Sequence, residues 1–116
     1  MAKYERRLTG DMDALLHTID RGIIGGSISA GFEASSDFYS GSVRCAVRVY
    51  ERFSIMGGNR LSLNVTVLGT GRDLQLSAIT AGGGSGVFFN FFKADTTGEG
   101  PFLRKLTKIV EDFITQ

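Results

Sequence analysis

Four stretches of this chain alternate apolar and polar residues with period two, and the links between them are short. Residues 27–34 set Ile28, Ala30, Phe32 and Ala34 against Ser27, Ser29, Gly31 and Glu33. Residues 42–53 set Val43, Cys45, Val47, Val49 and Phe53 against Arg44, Ala46, Arg48, Tyr50 and Arg52. Over residues 60–68, Leu61, Leu63, Val65 and Val67 oppose Ser62, Asn64 and Thr66, and over 73–81 Leu74, Leu76 and Ala78 oppose Gln75, Ser77 and Ile79. Alternation of this kind places each set on one face of a strand. The links Tyr39-Ser40-Gly41, Met56-Gly57-Gly58-Asn59 and Gly69-Thr70-Gly71-Arg72 are of hairpin size, whereas a parallel crossover needs about a dozen residues or more. An antiparallel meander follows. The apolar register of each strand is expected to face the core, leaving the arginines of 42–53 on an outward, solvated face.

A fifth strand is expected over residues 87–92, Val87-Phe88-Phe89-Asn90-Phe91-Phe92, entered through Gly82-Gly83-Gly84-Ser85-Gly86. Alternation points Val87, Phe89 and Phe91 one way and Phe88 and Phe92 the other. A half-solvated strand carries apolar side chains on one face only. Both faces here need a cover, from helices, a second subunit or a ligand.

Helices bracket the strands. Met12, Leu15, Leu16 and Ile19 recur at helical spacing over residues 11–20, with Thr9 as the expected cap and Gly22 as the expected stop. After Pro101, suited to a first helical turn, Phe102, Leu103, Leu106, Ile109, Val110, Phe113 and Ile114 trace one apolar stripe. The expected fold is α+β: a five-stranded antiparallel meander with one N-terminal and one long C-terminal amphipathic helix, in the order α-β5-α. Residues 1–116 suffice for one domain with one core.

Net charge is +1, so no global field draws the chain to nucleic acid or to an anionic membrane. Residues 38–72 nevertheless hold five arginines against Glu51 alone. The single Cys45 rules out an intrachain disulfide, and no apolar run approaches the roughly 18 residues of a membrane span. No apolar leader follows the basic Met1–Arg7 stretch. A cytoplasmic protein is expected.

Candidate chemistry is sparse. The glycine run 82–86 precedes a strand rather than a helix and lacks the Gly-Lys-Ser/Thr ending of a phosphate loop, so a turn is the simpler reading, with a flap over a ligand as the alternative. Arg44, Arg48 and Arg52 share one face with Tyr50, a pattern able to hold an anion, an acidic partner or nucleic acid. The plainer account pairs those arginines with carboxylates of neighbouring strands or helices. His17 sits between Asp13 and Asp20 on a polar helix side, and Cys45 shares an apolar register with Val43 and Val47, as a small core residue would. No metal-ligand spacing, cofactor motif or catalytic constellation is visible, so no catalytic residue, metal or cofactor is assigned and a non-enzymatic protein is expected.

The apolar surplus carries the functional expectation. Ile79, Phe88 and Phe92, with Leu68 beside them, fall opposite the presumed core register and could form one patch. Three covers suit it: the N-terminal helix, with the C-terminal helix on the other face; a second copy of the chain; or a ligand gated by Gly82, Gly83, Gly84, Ser85 and Gly86. In outline, a meander closed by a long C-terminal helix resembles the helix-grip lipid-binding folds, although this chain opens with a helix where those open with a strand. That resemblance implies a ligand between sheet and helix. The leading expectation is a binding or self-association module, a homo-oligomer using the Phe-rich sheet surface. The alternative is a carrier or sensor of a small apolar or amphipathic ligand, and the third is weak nucleic-acid or anion binding by Arg44, Arg48, Tyr50 and Arg52.

Overall fold

The structure, a computed structural model, describes residues 1–25, 30–54, 59–82 and 99–116. Its elements are β1 (Lys3–Thr9), α1 (Met12–Gly25), β2 (Ala30–Ser40), β3 (Val43–Ser54), β4 (Asn59–Thr70), β5 (Asp73–Gly82) and α2 (Glu99–Ile114). The protein is mixed α+β with one antiparallel sheet in the order β1-β5-β4-β3-β2. The meander from β2 to β5 follows from its turns. Gly41 and Gly71, in two-residue hairpin loops, have φ of 59° and 61°, a region that side chains with a Cβ enter only at a cost.

One expectation about element order needs correction. The sheet gains a strand at the N-terminus, where none was expected. In β1 only Tyr4 and Leu8 mark the inward register, because the inward position between them is Arg6. Its guanidinium is neutralised by Glu111 of α2, with Nε 2.9 Å from Oε2. Among the described residues the order is therefore strand, helix, four strands, helix. The expected Phe-rich strand at 87–92 lies outside the described residues.

Helix α1 begins where Asp11 caps it: Oδ2 accepts the Ala14 amide at 2.8 Å, and the Asp11 carbonyl accepts the Leu15 amide at 3.0 Å. Asp11, and not Thr9, is the cap. The helix also runs through Gly22 instead of stopping there. A Cβ at that position would sit 2.5 Å from Ile109 Cδ1, so Gly22 serves the close approach of α1 to α2.

One core joins all of this. Leu15, Ile19 and Ile23 of α1 and Phe102, Leu106 and Val110 of α2 are buried with Leu61, Leu63, Val65 and Val67 of β4 and Leu74, Leu76 and Ala78 of β5. The strand residues in that set share one sheet face by register, so both helices lie on the same side. A helix on each face, one expected cover for the apolar surplus, is overturned. The two apolar stripes are wide enough to pack on each other as well as on the sheet, which gives a helical layer over a sheet layer.

Candidate functional site

The face of the sheet that carries no helix among the described residues is where this protein departs from ordinary patterning. A sheet covered on one side normally turns apolar residues inward and polar residues outward. Strands β4 and β5 obey, with Ser62, Asn64, Thr66, Gln75 and Ser77 on the open side. Strand β3 does the reverse. Its cross-strand pairs Arg44↔Gly69, Ala46↔Val67, Arg48↔Val65, Tyr50↔Leu63 and Arg52↔Leu61 put the arginines on the helix-covered face. Val43, Cys45, Val47 and Val49 consequently point to the open face. The expected assignment of these two registers is corrected: the alternation stands, and its direction is inverted.

The inversion holds because each inward arginine finds a partner at the margin of the helical layer. Arg44 Nη1 lies 2.6 Å from Asp13 Oδ1 of α1, and its Nη2 lies 3.0 Å from Asp37 Oδ1 of β2. Arg48 Nη2 lies 3.3 Å from Asp37, and its Nη1 donates to the Val47 and Ser36 carbonyls. Burial pushes the Asp37 carboxyl up, but the hydrogen bonds from Arg44 and Arg48 outweigh it and hold the group below the usual carboxylate range. Arg44 is held protonated by its bonds to Asp13 and then Asp37. The Arg44 and Arg48 side chains are only 20% and 16% exposed. The Arg52 guanidinium lies over the Phe102 ring, 5.7 Å from its centre. Tyr50 is fully buried, and its hydroxyl is pushed up by burial and by the Asp20 carboxylate that it faces. Arg44 and Arg48 thus pair with carboxylates of a neighbouring helix and strand, as the plainer account anticipated, while Arg52 meets an aromatic ring and the cluster's place on a solvated face is corrected.

On the open face the register builds rows across the sheet. One reads Arg7, Gln75, Leu68, Cys45, Phe38 from β1 to β2; the next Glu5, Ser77, Thr66, Val47, Ser36; the third Lys3, Ile79, Asn64, Val49, Ala34. Ala34 reaches this face because the β2 register shifts between Phe32 and Ala34, breaking the uniform alternation expected there. The apolar residues gather on β3 and its neighbours. Phe38 is 61% exposed, Leu68 39% and Ile79 38%. Cys45 is half-buried on this face and is not the core residue expected. Four charges on the face pair in place: Lys3 with Glu5 at 3.9 Å and Arg60 with Glu51 at 3.2 Å. Toward β1 the face holds an open hollow of about 400 Å³ bounded by Glu5, Arg7, Thr66, Leu68, Gln75 and Ser77.

Of the residues singled out from sequence, Ile79 and Leu68 both lie on this open face, but two rows apart and not in the one patch expected. Gly82 ends β5 with φ of 93°, its α-carbon turned against the Arg60 carbonyl. Gly83, Gly84, Ser85, Gly86, Phe88 and Phe92 lie outside the described residues. Phe38 was missed as an exposed residue, and Val43, Val47 and Val49 as half-buried residues of this face. The signal was present in β3, where three arginines oppose four small apolar residues, but the sequence shows only that the two faces differ. His17 is exposed on α1. Among the described residues no group of three or more His, Cys, Asp or Glu could hold a metal ion, and no helix is long and apolar enough to cross a membrane.

These observations define an α+β protein with a two-helix layer on one face of an antiparallel sheet and an apolar stripe on the other. The chain belongs to a family described as a family of unknown function, DUF6054, whose model matches residues 1–114. No curated protein and no solved structure matches it.

Proposed function

We propose that this protein is a non-enzymatic binding module that works through the open face of its sheet, with Phe38, Val43, Cys45, Val47, Val49 and Leu68 as the contact surface. The inverted polarity of β3 carries this reading. Arg44 and Arg48 are placed inward against the carboxylates of Asp13 and Asp37, and the apolar register went to the side that carries no helix among the described residues. Fully burying a Val, Leu or Phe side chain is worth roughly 1.5–3 kcal/mol, and docking on this face would supply the part that its half-buried valines and exposed Phe38 still lack.

Resonance mapping by nuclear magnetic resonance tests the reading. Spectra of the purified chain, recorded over a concentration series and with an apolar fluorescent dye as probe, should shift chiefly at open-face residues of β3, at Phe38 and at Leu68. Shifts confined to α1, α2 and the inward register of β4 and β5 would overturn it and would favour a ligand held between sheet and α2.

A further inference from the structure

We infer that the partner of the open face is a second copy of this chain, the two sheets packing face to face about a two-fold axis that passes near Val47. This rests on the open face being the binding surface, and three features choose a copy over another occupant. The first is area. Five strands at about 4.8 Å spacing, with on the order of ten residues each rising ~3.4 Å, present a face of roughly 800 Å². A standard stable interface buries about 800 Å² on each partner. The sheet face is therefore large enough by itself.

The second is charge. The described strand residues on this face include three cations, Lys3, Arg7 and Arg60, and three anions, Glu5, Glu51 and Asp73. A two-fold interface sets a surface against itself, so any net charge would be doubled and repulsive. The described strand residues counted on this face have none to double. A nucleic acid or an anionic lipid surface would require the opposite, a field of one sign.

The third is shape. Near the proposed axis stand Val43, Cys45, Val47 and Val49, small or β-branched side chains on successive open-face positions of β3. Stacked sheets interdigitate such residues at a separation of about 10 Å. The larger Phe38 and Leu68 flank the column in the same row as Cys45, and the charges lie toward the rim. The column lies on the fourth of the five strands, beside the polar Ser62, Asn64 and Thr66 of β4, so the apolar patch is bordered by polar residues as in a protein interface.

The test combines mass with the reactivity of the single cysteine. Sedimentation equilibrium of the wild-type chain should give a dimer, and Cys45 in it should react slowly with iodoacetamide. Val47→Asp sets two like charges near the axis and should raise the dissociation constant at least roughly a hundredfold. Phe38→Asp, at a position already exposed, gives the same readout if the Val47 variant fails to fold. Lys108→Glu, on the outer side of α2, should leave the dimer intact. A dimer dissolved by the two open-face variants, with Cys45 freed in step, supports the inference. A dimer indifferent to both variants, with Cys45 freely alkylated, overturns the inference and the open-face reading together. A monomer with Cys45 freely alkylated, whose open face is still shifted by the apolar dye, overturns only the second copy and leaves the binding surface standing. A monomer with Cys45 protected also overturns the inference, because the shielding then comes from within one chain.

Discussion

Glu111 shows how much one side chain decides here. It accepts the Tyr4 hydroxyl at Oε2 and is bridged by Arg6, whose Nε lies 2.9 Å from Oε2 and Nη2 3.4 Å from Oε1. The Arg6 bonds, followed by the Tyr4 bond, hold the Glu111 carboxyl below its ordinary range. A carboxyl with a depressed folded pKa contributes stability that is complete above its unfolded value, near 4.5, and fades as pH falls through the folded one. Glu111→Gln should therefore melt below wild type at neutral pH, and the two melting temperatures should converge in acid. Paired thermal melts across pH check this, and a gap that persists unchanged in acid would remove the ionic contact as its source. Tyr4 has the opposite sign. Burial, then its bond to Glu111, raise it from 10.0 to about 12. Its contribution is complete below pH 10 and is lost as pH climbs toward 12. The same side chains explain why β1 was not legible in the sequence. An arginine at an inward position reads as a solvated strand or no strand, and Glu111, more than a hundred residues away, makes it neither.

At the scale of elements, hairpins and helix stripes follow from local chemistry, while their ends follow from contacts. Gly22 reads as a helix stop because glycine weakens helices, yet α1 continues through it to meet Ile109. Gly22→Val should cost about 1–3 kcal/mol by overpacking that contact. Urea denaturation of the variant measures it, and an unchanged midpoint would mean that the helices part without penalty. Two other glycines separate conformation from contact. Gly71 has φ of 61° with open space around it, so Gly71→Ala should cost roughly 1–2 kcal/mol for the left-handed backbone alone. Gly82 has φ of 93° and would bring a Cβ to 2.5 Å from the Arg60 carbonyl oxygen, which belongs to a paired strand and cannot rotate aside. Gly82→Ala should destabilise the protein more than Gly71→Ala. Equal denaturation midpoints for the two would show that the backbone angle is the whole effect.

Across the whole molecule, stability concentrates in the middle of the sheet. Strand β4 pairs on both sides and buries Leu61, Leu63, Val65 and Val67 beneath the helices. Strand β2 pairs only with β3 among the described residues and carries exposed positions from Ala34 to Ser40. Amide exchange should thus be slowest in β4 and faster in β2. Equal protection in the two strands of a dilute sample would mean that the β2 edge is covered as well.

The sequence by itself determined the α+β class, the meander of four hairpin-linked strands and the apolar stripe of α2, because period, turn chemistry and amphipathicity are properties of neighbouring residues. It also determined that the two faces of β3 differ. Only the tertiary structure decided which face met the helices. Alternation has no sign, and the sign came from Asp13 on α1 and Asp37 on β2, which made an inward Arg44 and Arg48 tolerable. The same holds for the helices: each stripe demanded a cover, but the fit of Gly22 to Ile109 placed both on one side and left the valines of β3 facing outward.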